Sequence, residues 1–436
     1  MGLPFLSSSK QKQTPPPAGS PGAGGGLSKF AEKLSERMGT NLGLGNTLGM
    51  PIAIDFGTGA LKILQVNAGQ PPSLQAIVSL ETPQALIGDN KRRMEFQLSA
   101  LPKLVKKGGF KGKRAVCSIP AWQTTCKHLQ FPRQDGVPLA QLVAAAIPQQ
   151  LGVDPASLVY RFIEVSNVER NNNKIDVVLI AVERAVVDRL METLVDAKLE
   201  PVGIQSEFMC TVRAFDDIHR RLEDNKANTL YLDIGASTTK VMITHGRTLV
   251  FARMIDVGGR HLDAAIAKQI NCDEVTARGM RLALDQETEK LFAPAPGPAS
   301  GAAAPAQPEV DRRSGLTPAG LTDDITTQPP VAVAPEGTSL LEPLEIITDE
   351  VRLCLRYHAS QFPGQKVDRI IFVGGESRHR GLTQHIARVL KLSAQIADPL
   401  ARVARTGNES VLGIDLKQPQ PGWAVALGLC LAPTDL

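Results

Sequence analysis

The sequence predicts an α/β fold made of two similar halves. Three observations carry this. Apolar strand-like runs alternate with helical stripes through most of the chain. Two segments repeat one strand–turn–strand pattern, with a lysine seven residues after an aspartate both times: Asp55 to Lys62 in IAIDFGTGALKILQV, and Asp233 to Lys240 in YLDIGASTTKVMIT. The composition supports a large aliphatic core, since 43% of the 436 residues are hydrophobic and only 4% are aromatic. That length predicts about three compact units.

The elements follow in order. Residues 1–50 are rich in Gly, Pro and Ser and predict a disordered tail. Within it Leu27, Phe30, Leu34 and Met38 fall at helical spacing among charges of mixed sign. Pro51–Val66 reads as two strands around a turn at Asp55–Gly59, and Arg114–Ile119 as a short strand. Leu139–Ile147 reads as a helix stopped by Pro148. Lys174–Ala181 reads as a strand, then Glu183–Ala197 as a helix with Val187, Leu190, Met191 and Leu194 on one face. Leu230–Thr244 is the second strand pair. A helix is expected from Asn271, and another from the stripe Leu340, Leu341, Leu344, Ile347, Val351 and Leu355. Between them, residues 293–337 hold nine of the 31 prolines and predict a disordered insert inside a folded domain. Val367–Val373 is a buried strand running into Gly374-Gly375, and Gly381–Leu390 is a helix.

Charge and cysteines narrow the function classes. The 48 basic and 44 acidic residues leave a net charge of +4, which argues against a nucleic-acid binder relying on bulk charge. No apolar run is long enough to cross a membrane, and the N-terminus lacks the pattern of a secretory signal. The six cysteines, Cys117, Cys126, Cys210, Cys272, Cys354 and Cys430, form no CxxC pair and read as buried free thiols of a reducing compartment.

The repeated turns suit phosphate. Small Gly, Ser and Thr residues let backbone N–H groups and hydroxyls approach phosphate oxygens. Gly57, Thr58, Gly59 and Lys62 supply this in the first turn, and Gly235, Ser237 and Thr238 in the second. Asp55 and Asp233, at the turn entrances, are placed to hold a hydrated Mg²⁺. The third element, RIIFVGGESRHRGL, offers Gly374, Gly375 and Ser377 to a flat ligand such as adenine.

Together, DFGTGALK, DIGASTT and IIFVGGESRHRGL resemble the two phosphate motifs and the adenosine motif of the actin-like ATPase superfamily, in order and spacing. Within it the chain most resembles the PilM family of type IV pilus assembly. The carriers are the stretch from KIDVVLIAVERAVVDRL to IQSE, the stretch VFARMIDVGGRHLDAAIAKQI, and an end at Leu436 without an FtsA-type membrane-targeting helix.

The resemblance implies an actin-like fold of two duplicated domains around a nucleotide cleft. The first domain would take 51–118 and 201–228, with an FtsA/PilM-type inserted subdomain at 119–200. The second would take 229–418, and 419–436 would return to the first as a helix. It implies ATP and Mg²⁺ as ligands, slow or absent hydrolysis, and Glu207 or Gln205 as the water-positioning group. It implies a cytoplasmic adaptor that binds the cytoplasmic N-terminal tail of a PilN-type inner-membrane protein and other pilus or secretion components. Membrane contact would be through that partner, and self-association stays open. Two alternatives stand beside it. One is a filament-forming protein of the FtsA or MreB type. The other is a small-molecule kinase, for which Asp89, Glu95 and Asp135 are the acids at hand and none sits in a recognisable pattern.

Overall fold

The computed structural model describes residues 50–134, 136–165, 174–216, 227–282, 321–324 and 341–432. Fifteen strands follow in chain order: β1 (Ile52–Phe56), β2 (Ala60–Asn67), β3 (Ser73–Glu81), β4 (Arg114–Ile119), β5 (Thr124–Pro132), β6 (Leu158–Val165), β7 (Lys174–Glu183), β8 (Glu200–Ser206), β9 (Asn228–Ile234), β10 (Thr239–His245), β11 (Thr248–Ile255), β12 (Leu321–Asp324), β13 (Arg369–Val373), β14 (Ser393–Ala397) and β15 (Ser410–Leu412).

They build two six-stranded sheets, ordered β15-β3-β2-β1-β4-β8 and β11-β10-β9-β13-β14-β12, and a three-stranded sheet β5-β7-β6. Removing the outer strands β15 and β12 makes the duplication plain. Each large sheet has an antiparallel meander of three strands, continued by two parallel strands beside the first of them. The registers match too: Asp55 lies opposite Lys62 across the β1–β2 pair, and Asp233 opposite Lys240 across the β9–β10 pair.

The central strands are buried along their whole length, β1 and β9 at every residue. This is why they read as continuous apolar runs rather than alternating ones. Their two faces serve different cores. Ile52, Ile54 and Phe56 of β1 pack with Met94 and Leu101 of helix Asn90–Lys107 and with Leu190 and Leu194 of helix Arg184–Asp196. Ala53, one step along, faces the larger core with the C-terminal helix Ala424–Cys430. Each fully buried Ile or Leu contributes about 2 kcal/mol.

That C-terminal helix lies so close to helix Glu207–Arg213 that a Cβ on Gly428 would stand 1.9 Å from the Cys210 carbonyl oxygen. Glycine is required there, and the contact fixes the helix that carries Glu207. The three-stranded sheet meets β11 through His128, whose ring stacks on Phe251 at 4.6 Å and whose Nε2 lies 3.4 Å from the Ala252 amide.

Several expectations change. Pro148 lies inside its helix, Leu139–Leu151, in a second compact unit that includes residues 134–157. Proline cannot donate a hydrogen bond, but its carbonyl still accepts one. The turn therefore closes from the Gly152 amide onto Pro148 O at 3.0 Å, and left-handed Gly152 ends the helix. Inside the 293–337 insert, Leu321–Asp324 pairs antiparallel with β14 as an edge strand. The remainder of that insert lies outside the described residues, as do the tail at 1–49 and Asp135. The expected helix from Asn271 begins at residue 274, because Asp273 caps it through the Val275 and Thr276 amides. Cys126 and Cys272 are half-buried rather than buried, while the other four cysteines are buried. Asp89 is a cap as well, accepting from the Lys91 and Arg92 amides, and Glu95 is exposed. Among the described residues no helix is long and apolar enough to cross a membrane.

Candidate functional site

The two repeated turns meet. A Cβ built on Gly59 would stand 3.6 Å from the Ala236 Cβ, so the first turn faces the second at van der Waals distance. Each turn is braced from behind by its own half. Gln97, on helix Asn90–Lys107, donates to the Gly57 carbonyl at 2.8 Å, and the Thr82 amide donates to Gly59 O at 2.9 Å. The second turn closes on itself from the Gly235 amide to Thr238 O at 2.9 Å. The start of helix Gly259–Ile270 buttresses it, with the Gly259 amide on Gly235 O and the Arg260 amide on Ala236 O.

Five charged groups gather around the turns. Asp55 is buried; its Oδ1 accepts from Ser118 Oγ at 3.1 Å, and its Oδ2 lies 3.8 Å from Lys62 Nζ. Lys62 also donates to the carbonyl of Gly422, just before the C-terminal helix. Asp233 pairs with Lys240 at 2.7 Å. Lys240 donates in addition to Glu207 Oε2, and Glu207 Oε1 accepts from the Ala121 amide at 2.9 Å. Burial pushes Asp55 above the usual carboxylate range against the pull of Lys62 and Lys240. Burial raises Glu207 too, against the pull of Lys240. For Lys240, burial would depress the ammonium, but Asp233 and Glu207 outweigh it and hold it above ordinary lysine.

The third element lies against the second turn's strand. Gly374 has φ +93°, and a Cβ there would stand 2.3 Å from Ile234 O and 2.5 Å from Asp233 Oδ1. Only glycine fits this position. The Gly374 amide donates to Pro421 O at 3.0 Å, while a Cβ on Gly375 would meet nothing within 4 Å. Behind them, fully buried Arg281 pairs with Asp263 at 2.6 Å and Glu376 at 2.7 Å, fixing the Gly375–Arg378 turn.

The structure thus brings together Gly57, Thr58, Gly59, Lys62, Gly235, Ser237 and Thr238 on facing turns, with Asp55, Asp233 and Glu207 behind them. Gly374 and Gly375 follow from the neighbouring strand. Gln205 sits on β8 opposite Ser118, beside the Asp55 contact. Ser377 differs from expectation: it is fully buried and its hydroxyl donates to the Val373 carbonyl, so it closes its own turn rather than lining a ligand. Glu207 is held through both oxygens, Oε1 by the Ala121 amide and Oε2 by Lys240. Lys240 and Ser118 were not nominated from sequence. The repeat itself pointed to Lys240, whereas a lone Ser118 carries no signal.

A nucleotide fits this arrangement. The Ser237 hydroxyl is buried without a hydrogen-bond partner and is ready for an incoming acceptor. Gly375 leaves room for a flat group. A magnesium ion fits less well, since Lys240 already occupies Asp233 and Ser118 one oxygen of Asp55. Among the described residues no group of three His, Cys, Asp or Glu side chains is placed to hold a metal.

A family model described as type IV pilus assembly protein PilM matches residues 53–286. The chain belongs to the PilM family. A model of the cell division protein FtsA matches residues 230–428. The chain is similar to a PilM–PilN type IV pilus biogenesis complex structure, at 20% identity and TM-score 0.63, over 88% of this chain and 98% of that one. It is also similar to the ethanolamine utilization protein EutJ from Carboxydothermus hydrogenoformans, at 12% identity and TM-score 0.41, covering 93% and 96%. Similarity to MreB5 of Spiroplasma citri bound to ADP is at 14% identity and TM-score 0.42, covering 87% and 95%. No curated protein matches the sequence. The fold is that of the actin-like ATPases, and the chain is a PilM-type member of it.

Proposed function

We propose that the protein is an ATP-binding adaptor of a type IV pilus assembly machine, or of a related secretion machine. It holds ATP between its two turns and binds the cytoplasmic N-terminal tail of a PilN-type membrane protein. The observation that carries the nucleotide reading is the meeting of two matched turns, with the unpartnered Ser237 hydroxyl on the second of them and the open Gly375 backbone at the end of the neighbouring strand β13. Family membership and the likeness to the PilM–PilN complex support the partner.

On this reading the amides of Gly57, Thr58, Gly59 and Thr238 and the Ser237 hydroxyl hold phosphate oxygens, while Gly235, whose amide closes the turn onto Thr238 O, lets the backbone approach closely. Lys62, held by only a backbone carbonyl and a distant Asp55, adds its charge. Gly374 and Gly375 lie against the adenosine. Magnesium is given no place in this reading, because Lys240 is seated on Asp233 and the Ser118 hydroxyl on one oxygen of Asp55. ATP touching both turns favours their closed arrangement over an open one, because only the closed arrangement makes both sets of contacts. Turnover is slow or absent, since Lys240 and the Ala121 amide hold Glu207 away from a water-orienting role. The protein works in the cytoplasm and reaches the inner membrane through its partner.

Affinity capture from detergent-solubilised cells, with ATP present, tests the adaptor reading. Recovery of a single-pass membrane protein with a short cytoplasmic N-terminal tail is expected. Recovery of soluble proteins alone would contradict it and return weight to a filament or a kinase.

A further inference from the structure

The second turn contains a cation of its own. Lys240 Nζ stands between two carboxylates, 2.7 Å from Asp233 and hydrogen-bonded to Glu207, and all three side chains are at most 9% exposed. The lysine is not a loose surface group that has swung in. It lies in register opposite Asp233 in the β9–β10 pair, on a strand buried at all but its last residue. Its two partners sit on different halves: Asp233 on the second sheet, and Glu207 on the helix that follows β8 of the first.

We propose that Lys240 is a built-in cation that takes over the charge a divalent metal would bring to Asp233 and Glu207, so that nucleotide binding here does not require magnesium. The inference rests on the nucleotide reading above. Charge counting supports it. Fully ionised, Asp55, Asp233 and Glu207 carry three negative charges, against two positive charges on Lys62 and Lys240. Without Lys240 the cluster would hold an excess of two, the charge of one divalent ion. With it, a metal approaching Asp233 meets an ammonium already seated on the carboxylate and would have to displace it or share it. Mg²⁺ is poorly suited to either, since it keeps several waters and demands near-octahedral oxygen ligands. The seated lysine also neutralises the carboxylates that would otherwise repel incoming phosphates, which is a metal's service in nucleotide sites. Lys62, whose carboxylate lies 3.8 Å away and whose side chain is partly exposed, is left to face the phosphates.

The test titrates the full chain with a fluorescent ATP analogue, once in magnesium and once in EDTA. The two dissociation constants are expected to agree within about threefold, well below the tenfold that about 1.4 kcal/mol would bring. A larger loss in EDTA overturns the proposal, and this wild-type comparison decides it without any variant. Lys240→Met sharpens it: with the cation gone, binding is expected to weaken by about tenfold or more in EDTA relative to magnesium. A folded Lys240→Met variant that remains indifferent to magnesium also overturns it. If the wild-type chain binds no nucleotide in either buffer, the nucleotide reading itself falls, an outcome distinct from both others.

Discussion

The turns at Asp55–Lys62 and Asp233–Lys240 share a strand register and differ in the fate of their lysines. In the first, Lys62 is 3.8 Å from its aspartate, has a side chain 19% exposed, and spends a hydrogen bond on the Gly422 carbonyl. In the second, Lys240 closes on Asp233 at 2.7 Å and on Glu207, and is buried. The duplication therefore preserves backbone geometry, while the neighbours brought in by the surrounding fold decide the chemistry. Glu207 is the neighbour that makes the difference, because it gives Lys240 a second buried carboxylate.

The largest expected effect breaks this contrast directly. Lys240→Ala leaves two buried carboxylates facing each other and is expected to cost about 3–5 kcal/mol in urea unfolding. Lys62→Ala, at a looser and partly exposed pair, is expected to cost within about 1 kcal/mol. Equal costs would mean that the two lysines do the same job. Next come the glycines. Gly374→Ala is expected to cost about 3 kcal/mol, since a side chain there needs a strained φ and overlaps the Ile234 carbonyl. Gly59→Ala meets only ordinary contact, and its melting temperature is expected to stay within a few degrees of the parent.

Legibility followed the same line between backbone and neighbours. The turns, their aspartates and the VGG strand end were readable because glycine, small residues and fixed spacing are local properties. Lys240 was readable as a repeat but not as an ion pair, because Glu207 reaches it from 33 residues away in sequence. Ser377 misled for a related reason: a serine beside two glycines looks like a ligand, yet its hydroxyl is consumed by the carbonyl four residues back. The edge strand Leu321–Asp324 was hidden by its proline-rich surroundings, and its pairing depends on β14 being present. The end of helix Leu139–Leu151 was misplaced because Gly152, not Pro148, supplies the left-handed stop.

A smaller effect separates the halves by pH. Burial pushes His358, on helix Leu341–Gln361, and His379, before helix Arg380–Leu390, down to about 4. Both belong to the elements around the second sheet. The unfolded chain binds protons at these residues below about pH 6.5, and the folded chain does so only below about pH 4. Stability from these residues is therefore full above pH 6.5 and is lost as pH falls toward 4. The melting temperature is expected to drop across that window, and His358→Phe to flatten part of the drop. An unchanged profile would remove His358 from the account. The smallest change expected in stability is that of Ser237→Ala, because its hydroxyl has no partner to lose. Its cost should appear only as weaker nucleotide binding, by about threefold to tenfold.

Hydrogen–deuterium exchange of the wild-type protein, with and without ATP, tests the central claim most directly. The account predicts that ATP slows exchange together at residues 57–59, at 235–238 and at 374–375, the three backbone segments that converge on one ligand. Unchanged exchange at either repeated turn, or protection confined to one half of the molecule, would contradict it.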